Sequence, residues 1–342
     1  MIGHPLLLSL TAVDLLTLVF LTASFVAVFP VSVRWHPGSA SGAQLALERR
    51  AEMGALAAHI AAACLLVSTL LLVVAVALSL PGTIPGAMCG TGVLQALGAP
   101  GVRALGFRFL ALLCLSVWQL LEGLNRSRPE APLTETVVRI LLASSPAVVL
   151  AVAETQRALW GLDFGIPVDC CAVIYDPVGV SGGSGAGAGA AAPVWAGAFG
   201  VSSVLLAAAA AGLRRPKVRR LPVWLTAAAT LLWVPSAAVS LIHYFSPAIF
   251  GVLAHPCPWC LFLPEHAMVG FIQFGALAIA SREGLLAPAA LWAGGDEDLA
   301  PAAAARLAAA GGRVLAAEAV FLLFTIGPTL LWRLRHGVWI WG

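Results

Sequence analysis

Ala61-Ala62-Ala63-Cys64-Leu65-Leu66-Val67-Ser68-Thr69-Leu70-Leu71-Leu72-Val73-Val74-Ala75-Val76-Ala77-Leu78-Ser79-Leu80 runs for twenty residues without a charge. As a helix it reaches about 30 Å, the thickness of a bilayer's hydrocarbon core. It forms most of an apolar segment over 54–80. Seven more such segments follow from the same reading, at about 7–30, 104–124, 137–156, 194–213, 221–245, 265–281 and 313–333. The expected fold is all-α, a polytopic membrane helical bundle of about eight transmembrane helices, with 1–342 as a single integral membrane domain. Composition agrees. Hydrophobic residues make up 60% of the chain and charged residues 10%, against roughly 25% charged in soluble domains. Lipid is therefore the expected solvent.

Prolines inside spans, at Pro146, Pro235 and Pro328, are tolerable where neighbouring helices satisfy the freed carbonyls. The first span reads as a retained helix rather than a cleaved signal. No Lys or Arg precedes it, Asp14 interrupts it, and no small-residue cleavage site follows.

The basic residues are distributed unevenly. Thirteen of the nineteen Lys and Arg fall in four alternate loops: 31–53, 125–136, the run Arg214-Arg215-Pro216-Lys217-Val218-Arg219-Arg220, and 282–313. The opposite loops and their span edges hold Arg103, Arg108, Arg157, Arg333 and Arg335, while Arg139 sits inside the fourth span. The positive-inside rule puts the thirteen in the cytoplasm. Both termini and the cysteine loops are then extracytoplasmic. The 214–220 run reads as a cytoplasmic anchor, since charge asymmetry alone explains it, and no nucleic-acid partner is expected. The stretch 178–192 reads as a flexible Gly/Ala-rich extracytoplasmic linker, and 283–312 as a cytoplasmic loop.

Five of the seven cysteines lie in three loops assigned to that outer face: Cys89, the adjacent pair Cys170-Cys171, and Cys257 and Cys260 in His255-Pro256-Cys257-Pro258-Trp259-Cys260. Thiolates are redox groups and soft metal ligands. The C-x-x-C spacing suits a reversible disulfide, half of a metal site or a structural bridge. Leu261 stands where a haem-attachment histidine would be needed, which excludes c-type haem at this motif. His255 and His266 flank it as candidate bases or ligands. A vicinal Cys170-Cys171 disulfide would be strained and labile. Met88 beside Cys89 suits Cu(I). An odd count of five suits a shuttle or a metal site better than a purely structural scaffold. Cys64 and Cys114, inside spans, read as buried fillers. Asp14, His59, Glu122, Glu154, Arg157, His243 and Glu318 are ionisable residues within or at the edges of spans, and so candidates for function.

The Pro256-Cys257-Pro258-Trp259-Cys260 loop between apolar helices resembles the membrane thiol-oxidising proteins of the DsbB and vitamin K epoxide reductase type. Those families pass electrons from loop cysteines to a quinone at the membrane boundary. The resemblance implies that Cys257 and Cys260 are a reducible pair, with Cys170, Cys171 or Cys89 as exchange partners. This chain departs from the pattern in its eight apolar segments, where those families use a four-helix core, and in having no second C-x-x-C.

Three functions follow as expectations. The first is thiol–disulfide exchange with a periplasmic or extracellular thiol protein, or electron transfer to a quinone, with Cys257, Cys260, Cys170, Cys171 and Cys89 as the catalytic set. The second is copper or zinc handling, with the same cysteines and His255 or His266 as ligands. The third is a non-catalytic membrane subunit whose disulfides brace its outer loops.

Overall fold

Long uncharged runs rich in Ala, Leu and Val satisfy their backbone polar groups internally only as helices when lipid is the surroundings. The computed structural model of the chain shows that outcome. It describes residues 4–36, 41–168, 185–215, 220–251 and 257–339, with no strand among them. Among the described residues, eight helices are long and apolar enough to cross a membrane. They are α1 (Pro5–Arg34), α2 (Gly42–Gly82), α3 (Gly90–Asn125), α4 (Thr134–Trp160), α5 (Gly185–Leu213), α6 (Arg220–Phe250), α7 (Val269–Ala293) and α8 (Ala300–His336). The eight apolar segments of the sequence each correspond to one of them. Two helices widen locally into π turns, α2 at Ala75–Ser79 and α6 at Leu241–Phe245. Pro146, Pro235 and Pro328 all lie inside helices.

Several boundaries differ from the sequence reading. The 283–312 loop is mostly helical: α7 continues to Ala293 and α8 begins at Ala300, which leaves 294–299 as the connection. Glu283, which opens the stretch read as a loop, is 3% exposed and held by Arg282, Arg306 at 2.6 Å and Arg313 at 3.4 Å. Ion pairing between helices lets α7 carry it. Residues 185–192 of the Gly/Ala-rich stretch are the first turns of α5, as alanine's helix propensity favours; 178–184 lie outside the described residues. Cys64 and Cys114 are half-buried free thiols rather than fully buried fillers.

The chain gathers into two compact units. The first comprises Met1–Val76, Ala96–Asp163 and Asp296–Leu299. Its α1 and α2 pack closely because Gly54 has no side chain: a Cβ there would fall 2.3 Å from Val28 Cγ1. The Ser24 hydroxyl donates to Gly54 O at 2.8 Å in the same contact. Small residues serve helix association in lipid in this way. Arg108 is not a loop charge. It is 1% exposed, and its guanidinium donates to Asp14, Ser68, Thr69 and Thr155. Gln156 Nε2 also donates to Asp14. His59 lies tilted on Trp118, ring centroids 4.7 Å apart.

The second unit comprises Ala77–Gln95, Phe164–Gly295 and Ala300–Gly342. Its core stacks Phe199, Trp233 and Phe321, with the Trp233 and Phe321 centroids 5.2 Å apart. Trp233 Nε1 donates to the Ser203 hydroxyl at 2.9 Å, which removes the penalty of a buried indole N–H. Glycines again set the close approaches. A Cβ on Gly284 would fall 2.0 Å from Thr230 Oγ1, and one on Gly311 2.4 Å from Ala210 O.

Candidate functional site: a buried three-cysteine cluster

The second unit brings two distant cysteine loops together. Cys89 ends the loop that follows α2. Its carbonyl accepts from the N–H groups of Gly92 and Val93, so it closes the first turn of α3. Upstream, Gly86 has φ +78°, a conformation that glycine adopts without cost. Pro85 O accepts from Val168 N at 2.9 Å, and a Cβ on Gly86 would collide with Val168 O.

Cys257 is extended and leads into a 3₁₀ turn, Pro258–Phe262, with Pro258 at its start. Three residues per turn places positions three apart above one another, which directs Cys257 and Cys260 to the same side. Leu263 N donates to Cys260 O at 3.1 Å and closes the turn. Aromatic contacts hold this turn to α7: Phe262 meets Phe271 and Phe274, with centroids 4.9 and 5.4 Å apart. Gly270 of α7 leaves room for Leu261 and Phe262, which a Cβ would meet at 3.0 Å.

The sulfurs of Cys89, Cys257 and Cys260 all lie within 4.8 Å of one another. Cys89 Sγ is 3.4 Å from Cys257 Sγ, and the Thr91 hydroxyl is 3.2 Å from the same sulfur. The three cysteines are 2%, 1% and 7% exposed, with Phe250, Trp259 and Leu263 packed around them. Trp259 lies directly over Gly90, where a Cβ would be 2.6 Å from its Cδ2.

This crowding separates the three thiols chemically. Cys257 is pulled below the ordinary cysteine range, first by a hydrogen bond from Cys260 and then by one from Cys89, with Thr91 adding a further donor; burial opposes the shift and loses. Cys260 is pushed the other way because its proton is held on Cys257, with Cys89 and burial adding to the effect. The arrangement favours the thiolate at Cys257 and disfavours it at Cys260. A disulfide needs sulfurs about 2.05 Å apart, so a modest side-chain rotation joins Cys257 to either partner. A metal at about 2.3 Å from each of three thiolates would set them about 4 Å apart, also near this spacing.

His266 is not among the converging ligand atoms. It lies in the turn Pro264–His266, its ring 4.5 Å from that of Phe250, one of the residues around the cluster. Cys170, Cys171 and His255 lie outside the described residues. Thr91 and Gly90 were not singled out by sequence reasoning, which took Cys89 and Met88 from this stretch. In comparisons with known proteins, the chain matches no family model, no curated protein and no solved structure.

Proposed function

We propose that this integral membrane protein performs thiol–disulfide chemistry at the Cys89–Cys257–Cys260 cluster. The observation that carries the reading is the 3.4 Å approach of Cys89 Sγ to Cys257 Sγ beside Cys260. Cys257 is then a nucleophile with two alternative partners. In the oxidised form Cys257 and Cys260 are joined. An incoming dithiol reduces this disulfide, itself becoming a disulfide and leaving two protein thiols. A quinone then takes two electrons and two protons from those thiols, which restores the disulfide and gives a hydroquinone. The resemblance to membrane thiol oxidases supports the quinone as acceptor.

Burial of the cluster argues against direct attack by a folded thiol protein, since all three sulfurs are walled off. We assign the outer half of the exchange to Cys170 and Cys171. They follow two and three residues after Val168, which is hydrogen-bonded to the Cys89 loop. An extracytoplasmic site is supported by the basic residues. Thirteen of nineteen lie in the four alternate stretches between the apolar segments read from the sequence.

Thiol blocking followed by non-reducing peptide mapping tests the reading. After treatment with a short-chain quinone, a disulfide is expected within the cluster, reversible by dithiothreitol. Three thiols that stay free would reject it. A soft metal, Cu(I) or Zn(II), is the second reading, favoured by the convergence of three sulfurs in a closed apolar pocket. One equivalent of copper or zinc per chain, lost on Cys257→Ser, would establish that reading in place of the first.

A further inference from the structure

Glu318 sits in the interior of α8, 3% exposed, and neither carboxylate oxygen has a hydrogen-bond partner among the described residues. A buried polar side chain without a partner is rare, and an ionised one in a membrane interior is costly enough to be a candidate for function.

The charged groups on the elements packed against α8 are few. On α7 they are Arg282 and Glu283, and Glu283 is already paired with Arg306 and Arg313 of α8 itself. On the π turn of α6 the titratable groups are His243 and Tyr244. No charged residue occurs in α5. The remaining ionisable groups of α8, Arg333, Arg335 and His336, are in its last turn. Among the described residues, Glu318 therefore lies with Val314, Ala317 and Phe321 of the apolar core and without an ion-pair partner.

Glu318 also begins a polar line. Thr325 and Thr329 follow at seven and eleven residues, within about 20° of the same helix face. Both are buried, at 0% and 2%. Thr329 Oγ1 has no partner, and neither has Trp332 Nε1 one turn further on. Across from Thr325, Gln273 of α7 is 0% exposed. Its Nε2 donates to Phe324 O at 3.0 Å, and its Oε1 is unpartnered. Gln273 is one turn from Gly270, which packs on Leu261 and Phe262 of the cysteine turn. Unsatisfied donors and acceptors at intervals along a buried seam are the sites where bridging water settles in proteins.

We propose that Glu318 is a proton-binding residue of the membrane interior, which takes up and releases its proton along the Gln273–Thr325–Thr329 face toward the cysteine end of the second unit. Protonation removes the unpaired charge, and the polar line supplies the route by which the proton exchanges with solvent. The inference is independent of whether the cluster carries electrons or a metal.

The test is infrared spectroscopy of the full chain in lipid nanodiscs, titrated over the pH range in which it stays folded and repeated in D₂O. The wild type is expected to show a protonated-carboxyl band that falls as pH rises and shifts in D₂O. Glu318→Gln should lose the band, Glu318→Asp should retain it at a shifted position, and Thr329→Val should delay its deuterium exchange. If Glu318→Gln fails to fold, glutamate-specific ¹³C labelling of the wild type compared with Glu318→Asp identifies the same carboxyl. An unaltered spectrum in Glu318→Gln would overturn the proposal, since the group would then be permanently ionised. A band indifferent to both pH and D₂O would overturn it equally, because the acid would be sealed from solvent.

Discussion

Arg108 on α3 donates to both carboxylate oxygens of Asp14 on α1 at 2.8 Å, and each side chain is 1% exposed. The other guanidinium hydrogens go to Ser68, Thr69 and Thr155. A charge in the bilayer interior costs about 2.5–3.5 kcal/mol even by lenient insertion scales, so the pair persists because both members are neutralised and hydrogen-bonded. Four helices contribute to one polar knot.

Removing one partner is therefore worse than removing both. Asp14→Ala leaves Arg108 buried and uncompensated, a change that costs about 3–5 kcal/mol in buried pairs. The double change Asp14→Leu with Arg108→Met should cost less than Asp14→Ala alone. Thermal unfolding of the detergent-solubilised variants checks this. A double variant less stable than the single one would show that the pair itself contributes net stability.

The cluster should show a flattened pH response. An ordinary cysteine becomes about tenfold less reactive for each unit of pH below its usual value near 8.5, because the thiolate is the nucleophile. Cys257 is held below that range by Cys260, Cys89 and Thr91. Its thiolate thus survives as pH falls through neutrality, whereas Cys260 stays protonated. In the reduced protein, labelling of Cys257 by a small membrane-permeant thiosulfonate should be nearly flat between neutral and mildly acid pH. Cys260→Ala removes the principal donor, so the ordinary steep dependence should return.

Gly90 is where backbone and indole meet. Any Cβ must push Trp259 aside, since it would stand 2.6 Å from Cδ2. Overpacking of this kind costs about 1–3 kcal/mol. Gly90→Ala should lower the unfolding temperature modestly and raise labelling of Cys257 and Cys260, because Trp259 forms part of their wall. Restored protection on combining Gly90→Ala with Trp259→Ala would contradict that picture, as the wall would then be irrelevant.

Glu283 makes a parallel case at the other end of α7. It is 3% exposed with three arginine partners, and Arg306 is the nearest of the two on α8, at 2.6 Å. Arg306→Met should destabilise more than Arg313→Met, whose side chain is 54% exposed and stands at 3.4 Å. Thermal melts of the two variants decide the order.

These residues also show what was legible in the sequence. The eight spans were, because an uncharged apolar run is a local signal. The ends of α7 and α8 were not, because Glu283 resembles a stop until its partners Arg306 and Arg313, 23 and 30 residues away, are in place. The pairing of Arg108, counted from sequence with the basic residues of the opposite loops and span edges, was hidden for the same reason: its partner Asp14 is 94 residues away. The C-x-x-C was visible as a short-range motif. Its meeting with Cys89, 168 residues from Cys257, depends on tertiary folding that spacing alone does not encode. Gly90 and Thr91 acquire meaning only once Trp259 and Cys257 lie against them.

The most direct measurement is disulfide trapping in Cys260→Ser. With the usual partner removed, mild oxidation of the purified protein should join Cys89 to Cys257, and mass spectrometry without reduction should find that linked peptide in most molecules. If Cys89 and Cys257 stay free, or link only between separate chains, the two sulfurs do not meet as a reactive pair and the account of the cluster is wrong.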